Sequence, residues 1–523
     1  MKRKTLIINC TFAIILGIQT WCWISYCGYS RLSCDEFFSY GLANGTEDYI
    51  FWDMNQIEAH ANEGGWIQGK DIWSYFVVDE GEGFSFDRVW WNQEHDVHPP
   101  FYYILLNSVS SFFPGVFSKW FGKAISILFL LLSQFVIFKL SKLFFGEKPI
   151  IIIPVIAWGF ANGAFYLSNL VRMYAMLSFF CLLLVYVHCK IYMTGLNKQL
   201  YWQLIVAIAL GGLTHYYFCL FAAIYCFLFF CILLGQKECR QNVIAYCVNI
   251  VVGALLAIMI FPKMIYHIFG GYQGDNVKDG ILSLNFQFIE VCDRINSYVL
   301  YDKGILVGVI TVLLFLVYLW REKKDAFKWT AKKIMWINIA LAGALYAVAM
   351  MKICVKARAY YVSPCFAVLS VAVSFLLIRL LQWMGERYRG ILLTLAILLL
   401  VITTVPRIIE GAKVADAPNV SFMKIYEQYT HRDCIFVYEA WDNLFTDQIG
   451  LMAEQDEIYC LDVSQLETAT YPEALNQRRT NDDLLIAVTN DEQKEEKIKI
   501  IEERLQMNAT EIVEGRFSFY ALQ

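Results

Sequence analysis

Up to about residue 409 the chain alternates long apolar runs with short polar turns, and beyond it the pattern changes. Eleven runs of roughly 15–24 residues fall at 5–28, 121–141, 149–168, 173–193, 200–214, 216–234, 241–262, 304–320, 334–351, 360–381 and 390–409. About 20 apolar residues rising about 1.5 Å each cross the roughly 30 Å core of a bilayer, so each run predicts a membrane-spanning helix. The first follows Lys2, Arg3 and Lys4, is long for a signal peptide and has no A-x-A-like site after it, which predicts an uncleaved anchor. Residues 99–114 are also apolar, but as a full crossing they would invert every later loop, so they are placed at the outer interface or partly inserted. Beyond Glu410, short β-type runs at 434–439, 457–463 and 484–489, with a last one near 517–522, alternate with polar helical stretches. This predicts a small α/β domain over 410–523, after a transmembrane domain over 1–409.

Charge then sets orientation. With the N-terminus cytoplasmic, inner turns hold Lys139, Lys142 and Lys148, then Lys190 and Lys198, then Lys237 and Arg240. Arg321, Lys323, Lys324, Lys328, Lys332 and Lys333 follow, then Arg387 and Arg389. Cytoplasmic loops collect Lys and Arg in this way. An odd number of spans puts the C-terminal tail outside the cytoplasm, with the loops 30–119 and 263–303. The first loop is acidic and carries Trp52, Trp66, Trp73, Trp90 and Trp91, which suit a membrane–water boundary. Composition agrees: 58% of residues are hydrophobic, 17% are charged and the mean hydropathy is +0.47. Soluble domains carry about 25% charged residues, so an ordinary soluble enzyme and a disordered chain are excluded. A net charge of −4 gives no footprint for nucleic acid. Most of the 16 cysteines lie in apolar runs, as small hydrophobes rather than a disulfide framework.

The residues with chemistry gather at the expected outer ends of helices. Asp35 and Glu36 follow the first span in "RLSCDEFFSYG"; such a pair either supplies a general base or charges a helix N-terminus. His95, Asp96 and His98 precede two prolines in "EHDVHPPFYYILL", as a metal-capable set or as a polar loop ending where prolines start a helix. Arg172 and Tyr174 stand in "NLVRMYAM", and His215 in "GLTHYYF". Lys352, Lys356 and Arg358 stand in "MMKICVKARAYYVSP". Cations on an outer face that otherwise avoids them suit an anionic ligand, an Arg fork being shaped for phosphate; lipid headgroups are the other reading.

In this order and placement the motifs resemble the family 39-like glycosyltransferases of the GT-C fold, whose members include protein O-mannosyltransferases and the lipid A aminoarabinose transferase. The resemblance covers about residues 1–410. It implies a GT-C-like polytopic helical membrane protein of about eleven transmembrane helices with an interfacial segment and a small extracytoplasmic α/β domain. The implied activity is transfer of a hexosyl or pentosyl group, with inversion, from a polyprenyl-phosphate donor to an envelope glycan, lipid or protein at the outer face. It assigns Asp35 as base with Glu36 beside it, and His98, Tyr102, Arg172, Tyr174, His215, Lys356 and Arg358 to the donor site. The late motif carries an extra Ala between Arg358 and Tyr360, so Lys356 and Arg358 both stand as phosphate ligands. No nucleotide-binding glycine fingerprint is present, as a lipid-linked donor implies, and no cofactor or metal is assigned. The alternatives are a lipid-linked sugar flippase or transporter, which needs no carboxylate pair, and a non-catalytic envelope-assembly protein.

Overall fold

The computed structural model describes residues 2–28, 32–45, 65–74, 76–195, 197–236, 240–283, 286–305, 307–309, 312, 316, 329–354, 356–383, 425–438, 449–463, 484–514 and 517–523. The chain packs as two units, one of Met1–Gly28, Gln93–Tyr102 and Gly122–Ile409, the other of Tyr29–Asn92, Tyr103–Phe121 and Glu410–Gln523.

The first unit is helical. Among the described residues six helices are long and apolar enough to cross a membrane: Arg3–Gly28, Lys119–Phe145, Tyr174–Thr194, Tyr216–Gly235, Arg240–Ile260 and Ala331–Ile353. The run expected to cross as one helix over 149–168 is instead a bent pair, Pro149–Gly159 and Asn162–Asn169, at 55° to each other. A break inside hydrocarbon frees backbone groups that lipid cannot satisfy. Here neighbouring helices supply the partners. The Val155 carbonyl accepts from Gln19 Nε2 at 3.0 Å and Gln134 Nε2 at 3.2 Å, and the Gly159 carbonyl accepts from Trp23 Nε1 at 3.0 Å. A Cβ on Gly159 would lie 2.1 Å from the Gln19 amide nitrogen, so a larger residue there would push the glutamine amides away from the carbonyls they serve. Lys198–Gly212, at 15 residues, is shorter than a full crossing. The spans expected at 304–320 and 390–409 lie largely and wholly outside the described residues.

The second unit is built on a six-stranded sheet of order β1-β3-β2-β4-β6-β5. The strands are β1 (Ile67–Gln68), β2 (Cys434–Tyr438), β3 (Glu457–Asp462), β4 (Leu485–Thr489), β5 (Ala509–Val513) and β6 (Phe517–Leu522). Its centre, β3-β2-β4, is parallel, and the flanking pairings are antiparallel. Strands covered on both faces read as continuous apolar runs, as "CIFVY" and "LIAVT" do. The helix Lys494–Leu505 buries Ile498, Ile501 and Leu505 against one face, on Ile435, Val437, Ile486 and Val488. Cys434 and Cys460 sit on adjacent strands, offset by two register positions, both buried and free. The first strand belongs to the loop after the first span: Ile67 pairs with Ile458, Gln68 with Glu457, and Gly69 N–H donates to the Asp456 carbonyl at 3.0 Å. The segment expected at the interface forms the 11-residue helix Phe101–Ser111, about 16 Å at 1.5 Å per residue and too short to cross.

Candidate functional site

In the first unit the site is built around Arg172, which lies in the short linker between Asn162–Asn169 and Tyr174–Thr194 and is only 9% exposed. The start of the helix Lys119–Phe145 holds this linker at three successive points. Lys123 Nζ donates to Asn169 Oδ1 at 2.9 Å and to the Cys27 carbonyl at 3.1 Å, and Ser126 Oγ donates to the Leu170 carbonyl at 2.6 Å. Between the chains Gly122 faces Val171 so closely that a Cβ there would lie 2.1 Å from Val171 Cγ1. A buried cation beside the last carbonyls of the first helix is well placed against that helix's dipole.

Arg172 Nη2 lies 3.4 Å from His98 Nε2, and His98 Nδ1 lies 2.7 Å from Asp96 Oδ2. A guanidinium only donates, so Nε2 accepts and Nδ1 carries the hydrogen given to Asp96. Burial favours a protonated Asp96, but the His98 ring and Arg172 outweigh it and hold the carboxyl below its usual range. His215 caps the helix Tyr216–Gly235, its Nδ1 accepting from Tyr217 N–H at 3.0 Å. Its ring lies 5.7 Å from that of His98. Burial, then His98 and Arg172, push the His215 imidazole well below its ordinary pKa.

Aromatic rings continue the cluster. Tyr174 lies 5.4 Å from His215 and stacks on Tyr360 at 4.8 Å. Arg358 Nη1 donates to Tyr360 Oη at 2.5 Å, which brings the late basic motif to the same place. Lys356 is exposed, and Tyr102 is buried in the helix Phe101–Ser111. A cavity of about 280 Å³ opens against His98, His215, Tyr217, His267 and Tyr361. His267 was not expected from the sequence. It lies in the short helix Met264–Phe269, 3% exposed, with Nε2 at 3.4 Å from the Glu94 carbonyl and Nδ1 accepting from Tyr216 Oη at 2.7 Å. Burial sets its imidazole below the ordinary pKa despite the Glu94 carbonyl and Asp96. Its only sequence signal is a histidine among aromatics just before the glycines at 270, 271 and 274.

Asp35 and Glu36 belong to the second unit, in the first turn of the helix Cys34–Asn44. Their environments differ. Asp35 is half-buried, while Glu36 is 4% exposed and its carboxylate accepts from Ser33 N–H at 2.7 Å and Ser33 Oγ at 2.8 Å. Glu36 therefore closes the helix N-terminus, as the third residue of a capping box does. Among the described residues no group of three or more His, Cys, Asp or Glu side chains converges to hold a metal ion.

No protein-family model and no curated protein sequence matches the chain. Solved structures do. ArnT from Cupriavidus metallidurans bound to undecaprenyl phosphate superposes with a TM-score of 0.52 at 10% identity, covering 97% of each chain. ArnT from the same organism in the apo state gives 0.49 at 11% identity over 98% of each chain. At such identity the likeness is one of fold, and the chain has the GT-C-like architecture of ArnT.

Proposed function

We propose that this chain is a membrane glycosyltransferase that takes a hexosyl or pentosyl group from a polyprenyl-phosphate donor and passes it, with inversion, to an envelope glycan, lipid or protein acceptor at the outer face. The observation that carries the reading is Arg172: a buried guanidinium set against an Asp96–His98 pair, with Arg358 joined through Tyr360 and Tyr174, beside a cavity. The ArnT-like fold supports it, since that ArnT structure holds undecaprenyl phosphate.

In the proposed reaction Asp35 takes the proton of an acceptor hydroxyl. The oxygen attacks the anomeric carbon, the bond from that carbon to the donor phosphate oxygen breaks, and polyprenyl phosphate leaves. Arg172, Arg358 and Lys356 balance the charge that grows on the phosphate, a role in which one donor group is typically worth about 10²–10³ in rate. His98 accepts from Arg172 and keeps its fork aimed; His215, Tyr174 and Tyr102 wall the donor.

The test is undecaprenyl-phosphate binding and transfer by purified variants. Arg172→Ala and Arg358→Ala should each weaken donor use by roughly 10²-fold or more, and Lys499→Ala, an exposed pair with Glu503 on the sheet's helix, should not. Equal donor binding in all three would remove the phosphate assignment. Donor binding that fails in Arg172→Ala while transfer is absent from the wild type would favour a flippase or transporter.

A further inference from the structure

The second unit has a pocket of its own, about 470 Å³, lined by Lys70, Trp73, Val77, Asp79, Gly115 and Phe117. That volume falls in the range of about 300–1,000 Å³ usual for small-molecule sites, which are mostly apolar with a few placed polar groups. Its floor is aromatic. Trp73 and Phe117 lie 4.5 Å apart at 34°, and Phe117 stacks on Phe37 at 5.8 Å. Tyr40 and Phe76 lie at 4.9 and 6.2 Å from Phe117 and fix it from behind. Gly115, at φ +70°, makes the turn that presents Phe117, and its N–H donates to the Val78 carbonyl at 2.8 Å. Trp73 is half-buried and so keeps part of its ring open.

The rim is polar and of both signs. Lys70 and Asp79 are exposed, and among the described residues neither side chain forms an ion pair or hydrogen bond, with each other or with any neighbour. They stand on one pocket without pairing with each other, as a ready donor and a ready acceptor. A cation and an anion together disfavour an anionic lipid headgroup. An aromatic floor disfavours a small ion. What fits is an uncharged ligand with one apolar C–H face and a rim of hydroxyls.

We infer that this pocket is a carbohydrate subsite, in which a pyranose ring lies on the open part of Trp73, which Phe117 backs, and its hydroxyls bond Lys70 Nζ and the Asp79 carboxylate. Phe37, which backs the floor, is on the same helix as Asp35 and two residues beyond it. The subsite therefore belongs to the acceptor and makes the acceptor a glycan. The acceptor role rests on the function proposed above; the sugar binding does not.

The experiment is saturation-transfer NMR on the full chain in nanodiscs. The probes are the methyl glycosides of glucose, galactose, mannose and N-acetylglucosamine, and their disaccharides. Transfer to ring C–H protons is expected with the wild type. It should fall roughly tenfold in Trp73→Ala, the change that about 1.4 kcal/mol produces. It should fall several-fold in Lys70→Ala and Asp79→Asn, and largely persist in Trp73→Phe, which keeps a ring. Lys70 and Asp79 are exposed, so their variants fold even if the tryptophan variant does not. Undecaprenyl-phosphate binding, measured on the same samples, is expected to be unchanged. Its absence from the wild type would count against the proposed donor, whatever the sugars do. Signals that persist in all three variants, no signal from any saccharide, or Trp73-dependent binding of a Ser/Thr peptide in place of sugars would each overturn the subsite.

Discussion

Adjacent carboxylates that look alike in the sequence are separated by their surroundings. Glu36 is spent on Ser33, whereas Asp35, half-buried on the same turn, takes no part in that capping box. Asp35→Asn is therefore expected to lower turnover by roughly 10²–10⁴-fold, the range for losing a general base, with donor binding kept. Glu36→Gln still accepts from Ser33 and should cost little, while Glu36→Ala should lower the thermal midpoint by the roughly 0.5–2 kcal/mol of a lost cap. A normal Asp35→Asn rate beside an inactive Glu36→Gln would reverse the roles. His215 carries a pH prediction. Its folded pKa lies well below the ordinary 6.5, so below pH 6.5 the unfolded chain binds a proton that the native chain refuses. Stability must then fall as pH drops below 6.5, and continue to fall until the folded pKa is reached. His215→Asn, which still caps the helix, should make the thermal midpoint fall less steeply between pH 7.5 and about 5; an unchanged slope would show that His215 is not the group responsible. Arg172, His98 and His215 were legible because polar residues stand out at the ends of apolar runs. His267 and Lys123 were not, because their partners, Glu94, Tyr216, Cys27 and Asn169, are distant in sequence.

At the scale of elements, hydropathy marks where a helix can cross and says nothing of whether it stays whole. Residues 149–168 have the length and apolarity of a crossing, yet the helix breaks, and Gln19, Gln134 and Trp23 on other helices satisfy carbonyls near the break. Those same glutamines would be costly in an apolar run without such a partner. The β-type runs of the tail were legible because a buried parallel strand is continuously apolar; β1 was missed because two residues leave no period to detect. The break aims Asn162–Asn169 at the linker, and the face of Gly122, Lys123 and Ser126 receives it. Gly122→Ala should therefore drive its new methyl into Val171, costing about 1–3 kcal/mol as overpacking does. Adding Val171→Ala removes the obstructing methyls, so the double variant should recover most of the thermal midpoint lost by the single one. If the losses simply add, the two positions are not in contact and the linker is held elsewhere.

At the scale of the whole molecule, the sheet constrains how the chain threads a membrane. β1 comes from the loop after the first span and β3 from the tail, and they share backbone hydrogen bonds. Trp66 packs on Tyr459 with ring centroids 5.6 Å apart, and Gly69 approaches the Gln455 carbonyl so closely that a Cβ would lie 1.9 Å from it. Two segments of one sheet must lie on the same side of a bilayer, because no open sheet edge or irregular loop can pass through hydrocarbon. An even number of crossings must therefore separate residue 119 from residue 425, whatever the total. The ten spans expected after the first satisfy that parity; nine or eleven would not. The parity fixes sameness of side; that this side is the outer one is the expectation drawn from the basic turns, which labelling tests. In a background depleted of cysteine, single cysteines at Lys70 and at Lys499 should label together with an impermeant reagent on intact cells, and one at Lys328 should label only after permeabilisation. Labelling of Lys328 with protection of the other two would invert the orientation while keeping the sheet. Labelling of Lys70 without Lys499 would break the sheet itself, since β1 and the helix Lys494–Leu505 would then lie on opposite sides of the membrane.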